Sequence, residues 1–300
     1  MADAARRIGW GGAILYWLYS LGVFVLLGGA WLTAAAGEPP RRIAAFTWAR
    51  LIREAVADLL PFSQIGGIIV GTRTLIAQGV ARPRVYASMI ADMTTEMASQ
   101  LLFTLFGLAA MASVLLGAHG AALRPALLGA TAALIAIIAL VVFGQRPLLA
   151  LASRLAHRLV PAAAVGLEAV DAELSRIYSH RRHVALSFLF NLAGWVASAA
   201  GAWILLRLIG VPLPLLWVLA IESLIFTVRS VAFAVPGAIG FQEAAYVLVG
   251  PMFGLPPETA LALSVAKRAR DVAIGAPALL AWQVMAVRFT LSRRGARITD

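Results

Sequence analysis

LLWVLAIESLIFTVRSVAFAVPGAIGFQEAAYVLVG, residues 215–250, is the stretch that decides the architecture. Leu215 to Val235 is apolar except for Glu222 and Arg229, and a run of roughly 20 apolar residues is the length that spans a hydrocarbon core. Pro236-Gly237-Ala238-Ile239-Gly240 then breaks the run, and Phe241 to Phe253 follows as a short apolar helix with Glu243 near its start. A backbone break at membrane depth survives only when it is buried in protein or lines a wet cavity. The stretch therefore reads as a broken membrane helix, which a mere anchor has no use for.

The rest of the chain supports a lipid environment. Of 300 residues, 61% are apolar and 13% charged, against about 45–50% and about 25% in a soluble domain. The absence of cysteine excludes disulfides, thiolate metal sites and cysteine nucleophiles. The net charge of +11 would suggest nucleic acid in a soluble protein. Here the basic residues sit at the ends of apolar segments, as topology signals and headgroup anchors. Nucleic acid is not an expected partner.

Trp10 to Ala36 reads as an uncleaved first span, too long for a signal sequence. After Glu38-Pro39-Pro40, an amphipathic helix carries Arg50, Arg53, Glu54 and Asp58 on one stripe and ends at Pro61. A short apolar piece with Gly66, Gly67 and Arg73 follows. A long helix from about Arg84 to Leu116 carries Asp92 and Glu96, and Pro125 to Phe143 is an uncharged span. Residues 145–183 form a polar, Arg-rich connector between one membrane half, 1–144, and another, 184–300. The Arg excess places the connector and the basic C-terminus on the cytoplasmic side. The last long helix, about Glu258 to Phe289, carries Lys267, Arg268, Arg270 and Asp271.

The two halves share a grammar. Shifted by 175 residues, Pro61 falls on Pro236, Gly79 on Gly254, Asp92 on Lys267 and Glu96 on Asp271. Interrupted helices in matching places of two halves point to a transporter's binding site. The expected fold is all-α: a polytopic integral membrane protein of two pseudo-repeats, with about six spans and two broken or re-entrant hairpins. The hinges would be Pro61, Gly66 and Gly67, and Pro236, Gly237 and Gly240.

Charges inside a membrane are costly and mark a pathway or a partner. Glu222 and Arg229 are two turns apart, too far to pair, so each needs another partner. Asp92 and Glu96, one turn apart and alike in sign, need a cation between them. Lys267 and Asp271 have the spacing to pair within their own helix. Together these charges suggest a polar cavity between the halves that takes a zwitterionic or phosphate-bearing headgroup. Arg53, Arg73, Arg229, Lys267 and Arg270 would bind phosphate. Glu54, Asp58, Asp92, Glu96, Glu222, Glu243 and Asp271 would balance them or meet cationic parts.

Arg53-Glu54, Pro61, Gly66-Gly67, Arg73 and Asp92, followed by the loop from Pro236 to Ala244, carry a family resemblance. The chain resembles the lysylphosphatidylglycerol synthase transmembrane family, the flippase-like domain of the MprF proteins, with its PGGxGxxE-type loop. The HpnL-type branch, associated with hopanoid lipid loci, is similar in size and style. The resemblance implies movement of a lipid between leaflets. It departs from the pattern at Ala238 and at Phe241-Gln242, where the family is richer in glycine. The chain carries no soluble synthase domain, so no enzymatic activity, cofactor or metal is expected. Membrane lipids are the expected partners, with a homodimer or a lipid-biosynthetic enzyme as further possibilities, in the bacterial inner membrane. The alternative is a non-catalytic accessory subunit of a hopanoid or glycolipid biosynthesis system.

Overall fold

A computed structural model describes residues 2–60, 63–114, 161–232 and 238–296, with positions 129, 132 and 235. The chain is all-helical, and no strand occurs among the described residues. Long helices α1 (Ala2–Ala34), α4 (Arg82–Val114) and α6 (Arg181–Ile209) are apolar and long enough to cross a membrane. At 1.5 Å per residue, the 29–33 residues of each cover about 44–50 Å. The protein is thus a multi-pass membrane protein. Apart from positions 129 and 132, the expected span Pro125–Phe143 lies outside the described residues, as do Pro61, Pro236, Gly237 and the connector from 145 to 160.

Between the long helices sit two hairpins of short ones. The first is α2 (Ile43–Leu59) with α3 (Ser63–Ala77), and the second is α7 (Leu215–Val231) with α8 (Phe241–Val249). Helices of 17, 15, 17 and 9 residues reach about 14–26 Å, short of a roughly 30 Å hydrocarbon core. Gly66 and Gly67, expected at the break, lie inside α3 instead. A Cβ on Gly67 would stand 2.5 Å from the Arg53 carbonyl oxygen, so its role is to let α3 lie against α2. Helix α5 (Pro161–Ser179) precedes α6, and α9 (Pro257–Ala296) closes the chain.

The helix ends repeat. α1 and α6 end at Ala34 and Ile209, and α4 and α9 begin at Arg82 and Pro257, each pair 175 residues apart. The corresponding helices α1 and α6 pack side by side in opposite directions. Arg7, near the start of α1, donates to the carbonyl of Ile209 at the end of α6, 3.1 Å away. Further along, Tyr19 donates to Ala197 at 2.8 Å, and Gly29 meets Phe190. Since equivalent helices run antiparallel, the two repeats are inverted copies. The flanking contacts obey the same exchange: α4 meets α7 through Thr104 and Thr227, 2.7 Å apart, and α9 meets α2 where Gly275 touches Ala55 and Leu59.

Small residues set how closely these helices approach. A Cβ on Gly28 of α1 would lie 2.6 Å from Cα and 2.7 Å from N of Thr47 on α2. Backbone cannot swing aside as a side chain can, so Gly28→Ala should cost about 1–3 kcal/mol. A thermal unfolding midpoint in detergent equal to that of the wild type would contradict this.

Helix α5 is clamped across one end of the bundle. Val170, Leu174 and Ile177 pack on Ala34, Ala36, Ala87 and Ala91. Arg176 donates to the Ala36 carbonyl at 2.5 Å, and Glu173 accepts from Arg176 and Arg84, each at 2.9 Å. Hydrogen bonds from Arg176, then from Arg84, hold the Glu173 carboxyl below the usual glutamate value. The clamp is therefore complete above the ordinary value of about 4.3 and fades as the pH falls through the lowered one. The protection of α5 amides, hydrogen exchange taken relative to its intrinsic rate at each pH, should fall on acidification, and Glu173→Gln should lower it already at neutral pH and remove its pH dependence.

Candidate functional site

The stripe on α2 recurs at intervals of three and four residues, so Arg50, Arg53, Glu54, Ala57 and Asp58 share one face. That face looks into a cavity of about 500 Å³ between the two repeats. Glu96 of α4, Arg229 of α7 and Arg270 of α9 join its wall, with Tyr16 and Tyr19 of α1 and Trp195 of α6. Six of the residues expected from sequence thus meet at one place: Arg53, Glu54, Asp58, Glu96, Arg229 and Arg270.

Two guanidiniums answer the like-charged pair on α4. Arg50 donates to Asp92 at 2.9 Å and to Glu96, while Arg53 donates to Glu96 at 2.8 Å and to Asp92 at 3.5 Å. Asn191 of α6 donates to the other Asp92 oxygen at 3.1 Å. Asp92 itself is 0% exposed and stands behind the arginines. Arg50 was not among the expected headgroup ligands. Its spacing of three residues from Arg53, on the same stripe, is the signal that could have included it.

A second contact ties the two hairpins to each other. Arg229, near the end of α7, donates to Asp58, near the end of α2, at 2.7 Å and to Gln242 of α8 at 2.9 Å. Gln242 in turn donates to Ser264 of α9 at 2.8 Å. Each broken repeat thus presents the C-terminal end of its first short helix to the other.

The remaining expected residues lie elsewhere. Glu222 pairs with Lys267, and Tyr246 hydrogen-bonds to both, with Lys267 Nζ 2.8 Å from the Tyr246 hydroxyl. The Phe226 ring stands 5.0 Å from Lys267, and neither Glu222 nor Lys267 lines the cavity. The expected pair within α9, Lys267 with Asp271, does not form. Glu222 captures the lysine, and Asp271 binds Arg270 at 3.1 Å. Glu243 closes the start of α8 by accepting from the Gly240 amide at 2.8 Å, and it pairs with Arg268 at 2.6 Å. Arg73 is exposed and also lies off the cavity. Among the described residues no group of three or more His, Cys, Asp or Glu side chains could hold a metal ion.

Trp195 and Arg270 also line the cavity, though their Nε1 and Nε atoms are enclosed in the surrounding protein without a hydrogen-bond partner. With aromatic rings beside both signs of charge, the wall is chemically matched to a polar headgroup.

The family model for the lysylphosphatidylglycerol synthase TM region matches residues 1–278. The chain belongs to that family. No curated protein and no solved structure matches it. Membership in the lysylphosphatidylglycerol synthase TM region family ties the protein to membrane lipids. In the loop before α8, Ala238 holds φ at 49°, in the left-handed region that glycine occupies without strain. Gly240, with φ 84°, then leads into α8.

Proposed function

We propose that the protein moves a polar-headed lipid between the leaflets of the membrane without altering it chemically. The observation carrying this reading is the meeting of two inverted, broken repeats at a cavity of about 500 Å³ whose wall bears both signs of charge. Inverted repeats with interrupted helices are a transporter design, with the site at the repeat interface. The family's tie to lipids supports a lipid as cargo. Exposed Arg181 and Arg182 beside α5 favour a cytoplasmic position for that end. In this reading the headgroup phosphate meets Arg53, Arg229 and Arg270, while the acyl chains stay in the bilayer.

The test is reconstitution in liposomes with labelled anionic, zwitterionic and glycolipid probes. Leaflet exchange should exceed that of protein-free liposomes for at least one class. Arg53→Ala and Arg229→Ala should each slow it about tenfold, the loss of roughly 1.4 kcal/mol of headgroup interaction. Exchange equal to empty liposomes for every class would refute the proposal.

A further inference from the structure

Away from the cavity, a second charged constellation sits where α5 meets the bundle. Arg42 ends the short helical turn Pro40–Arg42 that leads into α2, Arg84 stands in the first turn of α4, and Arg176 in the last turn of α5. Two carboxylates tie these arginines into a chain. Glu38 accepts from Arg84 at 2.8 Å and pairs with Arg42 at 3.2 Å. Glu173 accepts from Arg84 at 2.9 Å and from Arg176 at 2.7 Å and 2.9 Å. The side chains of Arg84, Arg42 and Arg176 are 30%, 33% and 39% exposed, whereas those of Glu38 and Glu173 are 7% and 16%. The acids therefore lie beneath, and the guanidiniums form the outer layer.

Three cations over two anions leave one positive charge, and two more stand beside it. Arg41 and Arg82 are exposed and form no ion pair among the described residues. The exposed acids of α5, Glu168 and Asp171, come at least five residues before Arg176, about 7.5 Å of rise toward the other end of the helix. The contacts within the chain engage Nε of Arg42, Nε and Nη1 of Arg84, and Nε and Nη2 of Arg176. Each guanidinium thus keeps a terminal nitrogen for another acceptor. The depth is that of lipid headgroups. The apolar helix α1 ends at Ala34, and Tyr86, 44% exposed on α4 just past Arg84, is an aromatic of the kind that gathers at the membrane–water boundary.

We propose that this cluster is a binding site for the phosphodiester of an anionic membrane lipid, held by Arg42, Arg84 and Arg176 and attracted by Arg41 and Arg82. A phosphodiester brings one negative charge to the unbalanced positive one, and its oxygens suit the fork of a guanidinium. Because the three arginines come from three separate elements, one headgroup would fasten α5 to the bundle. None of the five arginines lines the cavity, so the site stands independently of the transport reading.

Thermal unfolding of the purified protein in detergent, with added lipid, tests it. Phosphatidylglycerol should raise the midpoint at a concentration about tenfold lower than phosphatidylcholine requires, and inorganic phosphate at that concentration should not raise it. Arg42→Gln with Arg84→Gln should abolish the preference. Since that pair also cuts the clamp, Arg41→Gln with Arg82→Gln is the second variant. It breaks no ion pair, so its lipid-free midpoint should match the wild type while the phosphatidylglycerol needed rises several-fold. Arg229→Ala, in the cavity, should keep the preference. In bilayer nanodiscs, phosphatidylglycerol should also protect α5 amides from hydrogen exchange more than phosphatidylcholine does. Equal effects of the two lipids overturn the proposal, as does a preference that survives both double variants or vanishes in Arg229→Ala. An equal shift from inorganic phosphate would make this a site for free anions and overturn the lipid assignment.

Discussion

Arg50→Leu should destabilise the protein by about 3–5 kcal/mol, the cost of stripping one partner from a buried ion network. Arg50 is 1% exposed and bridges Asp92 and Glu96, two carboxylates one helical turn apart on α4. Removing it leaves two like charges against Arg53 alone, inside the bundle. Arg50→Lys should recover only part of the loss, because an ammonium is a point charge and cannot fork across both acids as a guanidinium does. Arg50→Leu combined with Asp92→Asn should recover more, since the amide keeps the shape and removes one unmatched charge. The measurement is the thermal unfolding midpoint in detergent, followed by tryptophan fluorescence. Arg73→Leu is the control, since that arginine is exposed and its loss should fall within about 0.5 kcal/mol. Equal midpoints for the two single variants would refute the claim.

Lys267→Met should have an effect of similar size for the same reason. It abandons a 0% exposed carboxylate at Glu222 among Phe226, Tyr246 and the core of the second repeat. The informative variant is the double one. Lys267→Met with Glu222→Leu removes both charges together, and such replacements of buried pairs are often neutral or stabilising. The double variant should therefore unfold at or above the wild-type midpoint. It should also keep its lipid exchange, because neither side chain borders the cavity. A stable double variant without exchange would assign Glu222 and Lys267 to transport after all, as the sequence alone suggests.

That last contrast shows where sequence reading reaches and where it stops. Spans are legible because length and apolarity are local properties. The repeat is legible because Pro61 and Pro236 punctuate it at one spacing. Spacing also shows that Asp92 and Glu96 need a cation between them and that Glu222 and Arg229 cannot satisfy each other. It cannot say which cation arrives, since Arg50 and Lys267 find partners 42 and 45 residues away through helix packing. The lysine had an acid in reach on its own helix and took another, because α7 brings Glu222 and α8 brings Tyr246 to one closed spot. The position of Arg73 off the cavity is illegible for a related reason: α3 is apolar on most of its length, so its sequence does not reveal which side it turns inward. Tyr16, Tyr19 and Trp195 of the cavity wall are not legible in the sequence, because aromatic residues in an apolar helix carry no contrast.

The inverted packing of α1 against α6 has a consequence for how the molecule could work. Two opposed copies of one unit are related by a half-turn about an axis in the membrane plane. Under the transport reading proposed above, the lengthwise seam between α1 and α6 would be a fulcrum. Rocking about it would shut the cavity toward one leaflet and open it toward the other, and the alternate state can be constructed in advance by threading each half onto the shape of its counterpart.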